Sequence, residues 1–164
     1  MGVCFNADEV LEMAERIEAN GAAFYRRAAE LQGGGQAAFL LGLAEMEDGH
    51  RATFAAMRRG LAREMQEATA FDPYLEASLY LQGMADSHGG EGAPSVARSL
   101  KGTESLGDIL RIAIDLEGKS ILFYLGLKDM VPARLGRDKV EAIIGEEKGH
   151  LAALSLELRK LESS

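Results

Sequence analysis

Two short segments of this chain, Glu47-x-x-His50 and Glu147-x-x-His150, each set a carboxylate and an imidazole three residues apart. On a helix that spacing places both groups on one face. Two more glutamates stand in rows that are otherwise apolar. Glu18 lines up with Leu11, Ala14 and Tyr25, and Glu117 with Leu110, Ala113, Ile121 and Tyr124. Glu47 shares its row with Leu40, Leu43 and Phe54, and Glu147 with Val140, Ile143, Leu151 and Leu154. Four carboxylates facing a core would be costly unless protonated or paired, and no lysine or arginine occupies those rows at that height. Two divalent cations cancel four negative charges. Glu18, Glu47, His50, Glu117, Glu147 and His150 are therefore candidate metal ligands. Oxygen and nitrogen donors without a thiolate suit iron or manganese, while affinity alone also admits zinc or copper.

The two halves of the chain repeat this pattern. Glu18 and Glu117 are 99 residues apart, and 100 residues separate Glu47 from Glu147 and His50 from His150. Each lone glutamate is followed seven residues later by a tyrosine, Tyr25 or Tyr124, which an internal duplication explains economically. A buried phenol needs a partner, and a glutamate about two turns away on its own helix face can supply one, so Tyr25 and Tyr124 are candidates for holding ligands or protons beside the metals. Glu45, Glu146 and Asp115 fall off the ligand faces and read chiefly as surface or intersubunit charges, with tuning of the site as the lesser reading. His88, among Gly89, Gly90 and Gly92, reads as a solvent-exposed loop residue. Gly49, Gly118 and Gly149 cost about 1 kcal/mol each inside helices relative to alanine, for which close helix approach is one reason.

Four helices must position these side chains. Leu11, Ala14, Ile17, Gly21, Phe24, Ala28 and Leu31 recur at three and four from Asp8 to about Gln32, where Gly33-Gly34-Gly35 ends the run. A second helix is expected from Gln36 to about Glu67 on the row Phe39, Leu40, Leu43, Met46, His50, Phe54, Met57 and Leu61. A third, capped by Ser105 or Thr103, carries Leu106, Ile109, Leu110, Ala113, Leu116, Ile121 and Leu125 to Met130, where Val131-Pro132 breaks it. The fourth follows to about Leu161 on Val140, Ile143, Ile144, Leu151, Leu154, Leu158 and Leu161. Between the second and third lies a connection over 70–104 with a short amphipathic helix around Tyr74 to Met84. Short links make each flanking pair antiparallel, and the long connection can carry the chain back along the bundle. The expectation is an all-α, ferritin-like four-helix bundle with a long crossover between helices two and three, a single domain over 1–164.

Ala14-Glu15-Arg16-Ile17-Glu18 to Phe24-Tyr25, Leu43-Ala44-Glu45-Met46-Glu47 to His50, Ala113-Ile114-Asp115-Leu116-Glu117 to Phe123-Tyr124, and Ile144-Gly145-Glu146-Glu147 to His150 together resemble the rubrerythrin family. The resemblance implies a centre of two iron ions per chain that reacts with hydrogen peroxide or dioxygen, while the donor set leaves manganese or zinc as alternatives. Glu18, Glu47, Glu117 and Glu147 would be its carboxylate ligands and His50 and His150 its imidazole ligands. Two departures stand out. Full-length rubrerythrins add a rubredoxin domain with four cysteines, whereas here Cys4 is alone, so electrons must come from a separate donor protein. Peroxidase-type members carry an extra carboxylate one turn beyond the ligand of the third helix, where this chain has Ser120.

With 26 acidic against 18 basic side chains the formal charge is −8, which disfavours nucleic acid and anionic membrane surfaces as partners. The first residues show no signal-peptide pattern, and Asn6 spoils a myristoylation motif, so the expected compartment is the cytoplasm. Phe71, Tyr74, Leu75, Leu79, Tyr80, Leu81 and Met84 offer apolar surface from which a homodimer is expected. Three functions suit the ligand set: a peroxidase- or oxidase-type oxidoreductase, a ferritin-type ferroxidase or iron-handling protein, and a metal-stabilised interaction module.

Overall fold

A computed structural model of the chain describes residues 7–61, 79, 96–131 and 133–164. All four long helices are present: α1 (Ala7–Gln32), α2 (Gly34–Arg59), α4 (Leu106–Met130) and α5 (Arg137–Glu162), with a short α3 (Val96–Ser99) before α4 and a 3-10 turn (Ala133–Leu135) before α5. No strand occurs among the described residues, and none of their helices is long and apolar enough to cross a membrane.

The links follow from local chemistry. Gly33 and Gly34 adopt φ of 69° and 56°, left-handed values that a side chain resists, so α1 reverses into α2 across a single residue. The second helix ends at Arg59 rather than near Glu67. There Gly60 turns the chain, its N–H shared between the carbonyls of Ala56 and Met57. Ser105, not Thr103, caps α4. Its hydroxyl accepts from the Asp108 N–H at 3.1 Å and the Asp108 carboxylate accepts from the Ser105 N–H at 3.1 Å, a reciprocal cap that contributes about 1 kcal/mol. Of the expected helix around Tyr74 to Met84, only Leu79 is described, helical and exposed. The rest of that segment, the other apolar residues behind the homodimer expectation, and His88 lie outside the described residues.

Helix α1 packs on α2 and α4 on α5, while α1 meets α4 and α2 meets α5 across the bundle. Cross-helix contacts fix the directions. Tyr25 reaches Glu117 while Tyr124 reaches Glu18, so α1 and α4 are antiparallel. His50 meets Glu147 while His150 meets Glu47, so α2 and α5 are antiparallel too. The directions are then up, down, down, up, and the segment between α2 and α4 must travel the length of the bundle, about 39 Å for 26 residues. This is the long-crossover arrangement rather than a simple succession of hairpins.

The core falls into two apolar clusters. One holds Leu11, Phe54, Phe123, Leu127, Val140 and Ile144, the other Phe24, Leu40, Leu43, Ile109, Leu110 and Leu154. Between them, at mid-bundle, lies a buried polar layer. Met46, Leu125 and Leu161, assigned to core rows by periodicity, are exposed, and Phe123, Tyr124 and Leu127 fill the α4 face. A row drawn at strict spacing drifts off the true stripe over seven turns.

Candidate metal centre

The polar layer consists of Glu18, Glu47, His50, Glu117, Glu147 and His150, none more than 5% exposed. Each glutamate comes from the middle of its own long helix, and the two histidines lie one turn beyond Glu47 and Glu147. The side chains form two groups whose donor atoms all lie within 4.8 Å of one another: Glu18, Glu47, His50 and Glu147, and Glu47, Glu117, Glu147 and His150. Glu47 and Glu147 belong to both groups, while Glu18 with His50, and Glu117 with His150, belong to one each.

His50 Nδ1 lies 3.0 Å from Glu147 Oε1 and 3.5 Å from Glu18 Oε2. His150 Nδ1 lies 3.0 Å from Glu147 Oε2 and 3.5 Å from oxygens of Glu47 and Glu117. The imidazole rings stack at 5.7 Å, tilted by 20°. Close as they are, Glu18 Oε2, Glu47 Oε1, both oxygens of Glu147 and the Nδ1 atoms of His50 and His150 make no hydrogen bond. Buried polar atoms are seldom left so, because each orphan costs about 1–3 kcal/mol. Six orphan atoms from five residues, with Glu117 beside them in the second group, offer hard oxygen and borderline nitrogen donors that suit a pair of divalent first-row metal ions, and these are the six residues singled out from the sequence.

Without metal, protons offset the charge. Burial pulls His50 and His150 down, but surrounding carboxylates outweigh it, chiefly Glu147 and Glu18 for His50 and Glu117 and Glu147 for His150. The imidazoles are pushed up to about 11 and about 12. Burial, reinforced by neighbouring carboxylates, raises Glu18 well above the usual carboxylate range and Glu117 to about 8. Burial would raise Glu147 too, but His150 and His50 on either side hold it at about 2.

Tyr25 and Tyr124 are buried, and each hydroxyl donates to a carboxylate, Tyr25 to Glu117 and Tyr124 to Glu18. The partner is the glutamate of the opposite helix, not the one seven residues earlier on the same helix. In antiparallel helices a residue two turns beyond one glutamate comes level with the glutamate across the interface, a pairing that same-helix geometry cannot reveal.

Two further features bear on the site. Glu146 is exposed, as expected of a residue off the ligand face, yet its Oε2 lies 2.9 Å from His50 Nε2. Its position just before Glu147 was the signal, since on antiparallel α5 it abuts the outer edge of the α2 histidine. Gly21 packs so closely on Glu47 that a Cβ there would lie 3.3 Å from Oε2. Beside it a cavity of about 20 Å³, lined by Gly21, Tyr25, Glu47, Leu116, Glu117 and Ser120, has room for about one water-sized molecule. A wider groove of about 670 Å³ between α2 and α5 opens to solvent and reaches His50 and Glu146, but it meets the outer edge of the imidazole and not the carboxylate oxygens. Close helix approach does not account for Gly49, Gly118 and Gly149: a Cβ at each would meet nothing within 4 Å.

No protein-family model and no curated protein matches the chain. Among solved structures, a crystal structure of a Thermotoga maritima protein provisionally assigned as ferritin-like diiron-carboxylate is similar over 98% of this chain and 97% of that one, at 27% identity and a TM-score of 0.72. The fold is the ferritin-like four-helix bundle.

Proposed function

We propose that the chain is a rubrerythrin-like di-iron oxidoreductase that reduces hydrogen peroxide or dioxygen with electrons from a separate donor protein. The observation that carries this reading is the set of six unpartnered, buried donor atoms converging in two groups, with a cavity for a small molecule against Glu47 and Glu117. The Thermotoga neighbour's assignment as a diiron-carboxylate protein supports iron.

Glu18 and His50 would hold one ion, Glu117 and His150 the other, and Glu47 and Glu147 are placed to contact both. When bound, the two irons supply one electron each, the two needed to reduce H₂O₂ with two protons to two waters. The protein's own residues set the conditions for that exchange. Tyr25 and Tyr124 orient Glu117 and Glu18 through their hydroxyls, and burial raises both phenols well above their usual range, so each remains a donor across the working pH range. Tyr25 also lines the small cavity beside Glu47 and Glu117, where a water-sized molecule fits. Gly21 keeps that space open, and the apolar clusters on both sides exclude bulk water from the layer.

The test is to load the protein anaerobically with Fe(II) and add one equivalent of hydrogen peroxide. Oxidation of two irons per peroxide consumed, within seconds, supports the reading, with the same titration against dioxygen ranking the two oxidants. Oxidation no faster than that of free Fe(II) in the same buffer would refute it.

A further inference from the structure

The two candidate metal positions are related by the repeat, but their surroundings are not. His50 turns Nδ1 toward Glu18 and Glu147 and Nε2 outward, where Glu146 Oε2 lies at 2.9 Å. A carboxylate can only accept, so when the ring loses a proton to bind a cation Nε2 would keep its hydrogen and Nδ1 would be the nitrogen freed. His150 also turns Nδ1 inward, toward Glu47, Glu117 and Glu147, but its Nε2 is buried and has no hydrogen-bond partner among the described residues. The repeat explains the difference. The residue 100 positions before Glu146 is Met46, whose thioether is at best a weak acceptor.

We propose that Glu146 is a positioning residue that makes the two metal positions inequivalent: by fixing the tautomer and orientation of His50 it creates one tight cation site at Glu18, Glu47, His50 and Glu147, leaving the His150 site the weaker one. The inference rests on the two-metal reading. A carboxylate that accepts the outer N–H of a ligating imidazole raises its basicity and holds the ring, and losing such a partner typically weakens metal binding about 10–100-fold. Among the described residues no carboxylate supports the outer nitrogen of His150, so its ring is held only from the Nδ1 side and by packing. The His50 site should fill first on loading and release its ion last on chelation.

Anaerobic titration with Co(II), read by its visible absorbance, tests this without any turnover. The wild-type protein should bind two ions with dissociation constants about 10–100-fold apart. Glu146→Ala should weaken the tight ion by that factor and leave the weak one unchanged, so that the two phases merge. Glu146→Gln, which keeps an acceptor but not the charge, should fall between. Met46→Glu supplies the missing counterpart and should tighten the weak ion, merging the phases from the other side. His150→Ala should keep the tight ion, which assigns it. Both Glu146 and Met46 are exposed, so these changes leave the core intact, and far-UV circular dichroism verifies it. Equal constants in the wild type, or an equal loss of both ions in Glu146→Ala, would overturn the inference while sparing the two-metal reading. No Co(II) binding to the wild-type protein would overturn both.

Discussion

Glu147 is the residue on which the metal-free site depends most. It is fully buried, with one oxygen 3.0 Å from His50 Nδ1 and the other 3.0 Å from His150 Nδ1. Glu147→Gln keeps its shape and removes its charge. Taking one partner from a buried ion pair typically costs about 3–5 kcal/mol, because the remaining charge is stranded. For a chain of this size each kcal/mol moves Tm by about 2–4 °C, so the metal-free variant should melt about 10 °C below wild type. The loss has a sign in pH. Both imidazoles are raised by their carboxylates, so their stabilisation is complete below about pH 6.5 and declines as pH rises toward about 11 and about 12. Removing Glu147 should therefore cost more at pH 6 than at pH 9. Differential scanning calorimetry of chelator-treated protein at both pH values reads this directly. Equal melting temperatures at pH 6, or a deficit that grows toward pH 9, would show that Glu147 does not hold the two imidazolium charges.

Glu117, raised to about 8, and Glu18, also raised, bind protons in the folded state that the unfolded chain releases above about pH 4.5, so metal-free Tm should fall between pH 5 and 9. Metal displaces those protons, so the rise in Tm on adding Zn(II) should grow over the same interval; a constant rise would contradict it. Tyr25→Phe removes the hydroxyl that holds Glu117 and should slow iron oxidation by peroxide with little change in Tyr124-dependent features, measurable by stopped-flow absorbance. Gly21→Val should fill the cavity against Glu47 and cut the peroxide rate at least 10-fold, whereas an unchanged rate would place oxidant entry elsewhere. Gly49→Ala meets nothing and should raise stability by up to about 1 kcal/mol in urea denaturation; destabilisation would reveal a contact from outside the described residues.

The six buried donors could be recognised from the sequence because a charged residue in an apolar stripe contradicts its surroundings, and four such contradictions at similar depths in four helices have few solutions. The helix ends at Gly33 and Ser105 were equally plain, since a glycine's backbone and a serine's capping hydroxyl each act within one turn of their own position. What periodicity could not show was relative placement between helices. The swapped pairs of Tyr25 with Glu117 and Tyr124 with Glu18 depend on antiparallel register across the bundle, as does the reach of Glu146 to His50. Gly21 resembles any small residue on a core face until the Glu47 carboxylate is set beside it. The early end of α2 at Gly60 was missed because Leu61 continues the apolar row, and a row does not record where hydrogen bonding stops.

The central claim is that these six residues bind two metal ions in one buried centre. Metal analysis by mass spectrometry, on protein reconstituted anaerobically with Fe(II) and freed of excess, measures it most directly when Glu18→Gln and Glu147→Gln are run alongside. About two irons per chain are expected in the wild type, about one in Glu18→Gln, whose carboxylate belongs to one group, and fewer than one in Glu147→Gln, whose carboxylate belongs to both. Fewer than one iron per wild-type chain, or the same content in all three proteins, would contradict it.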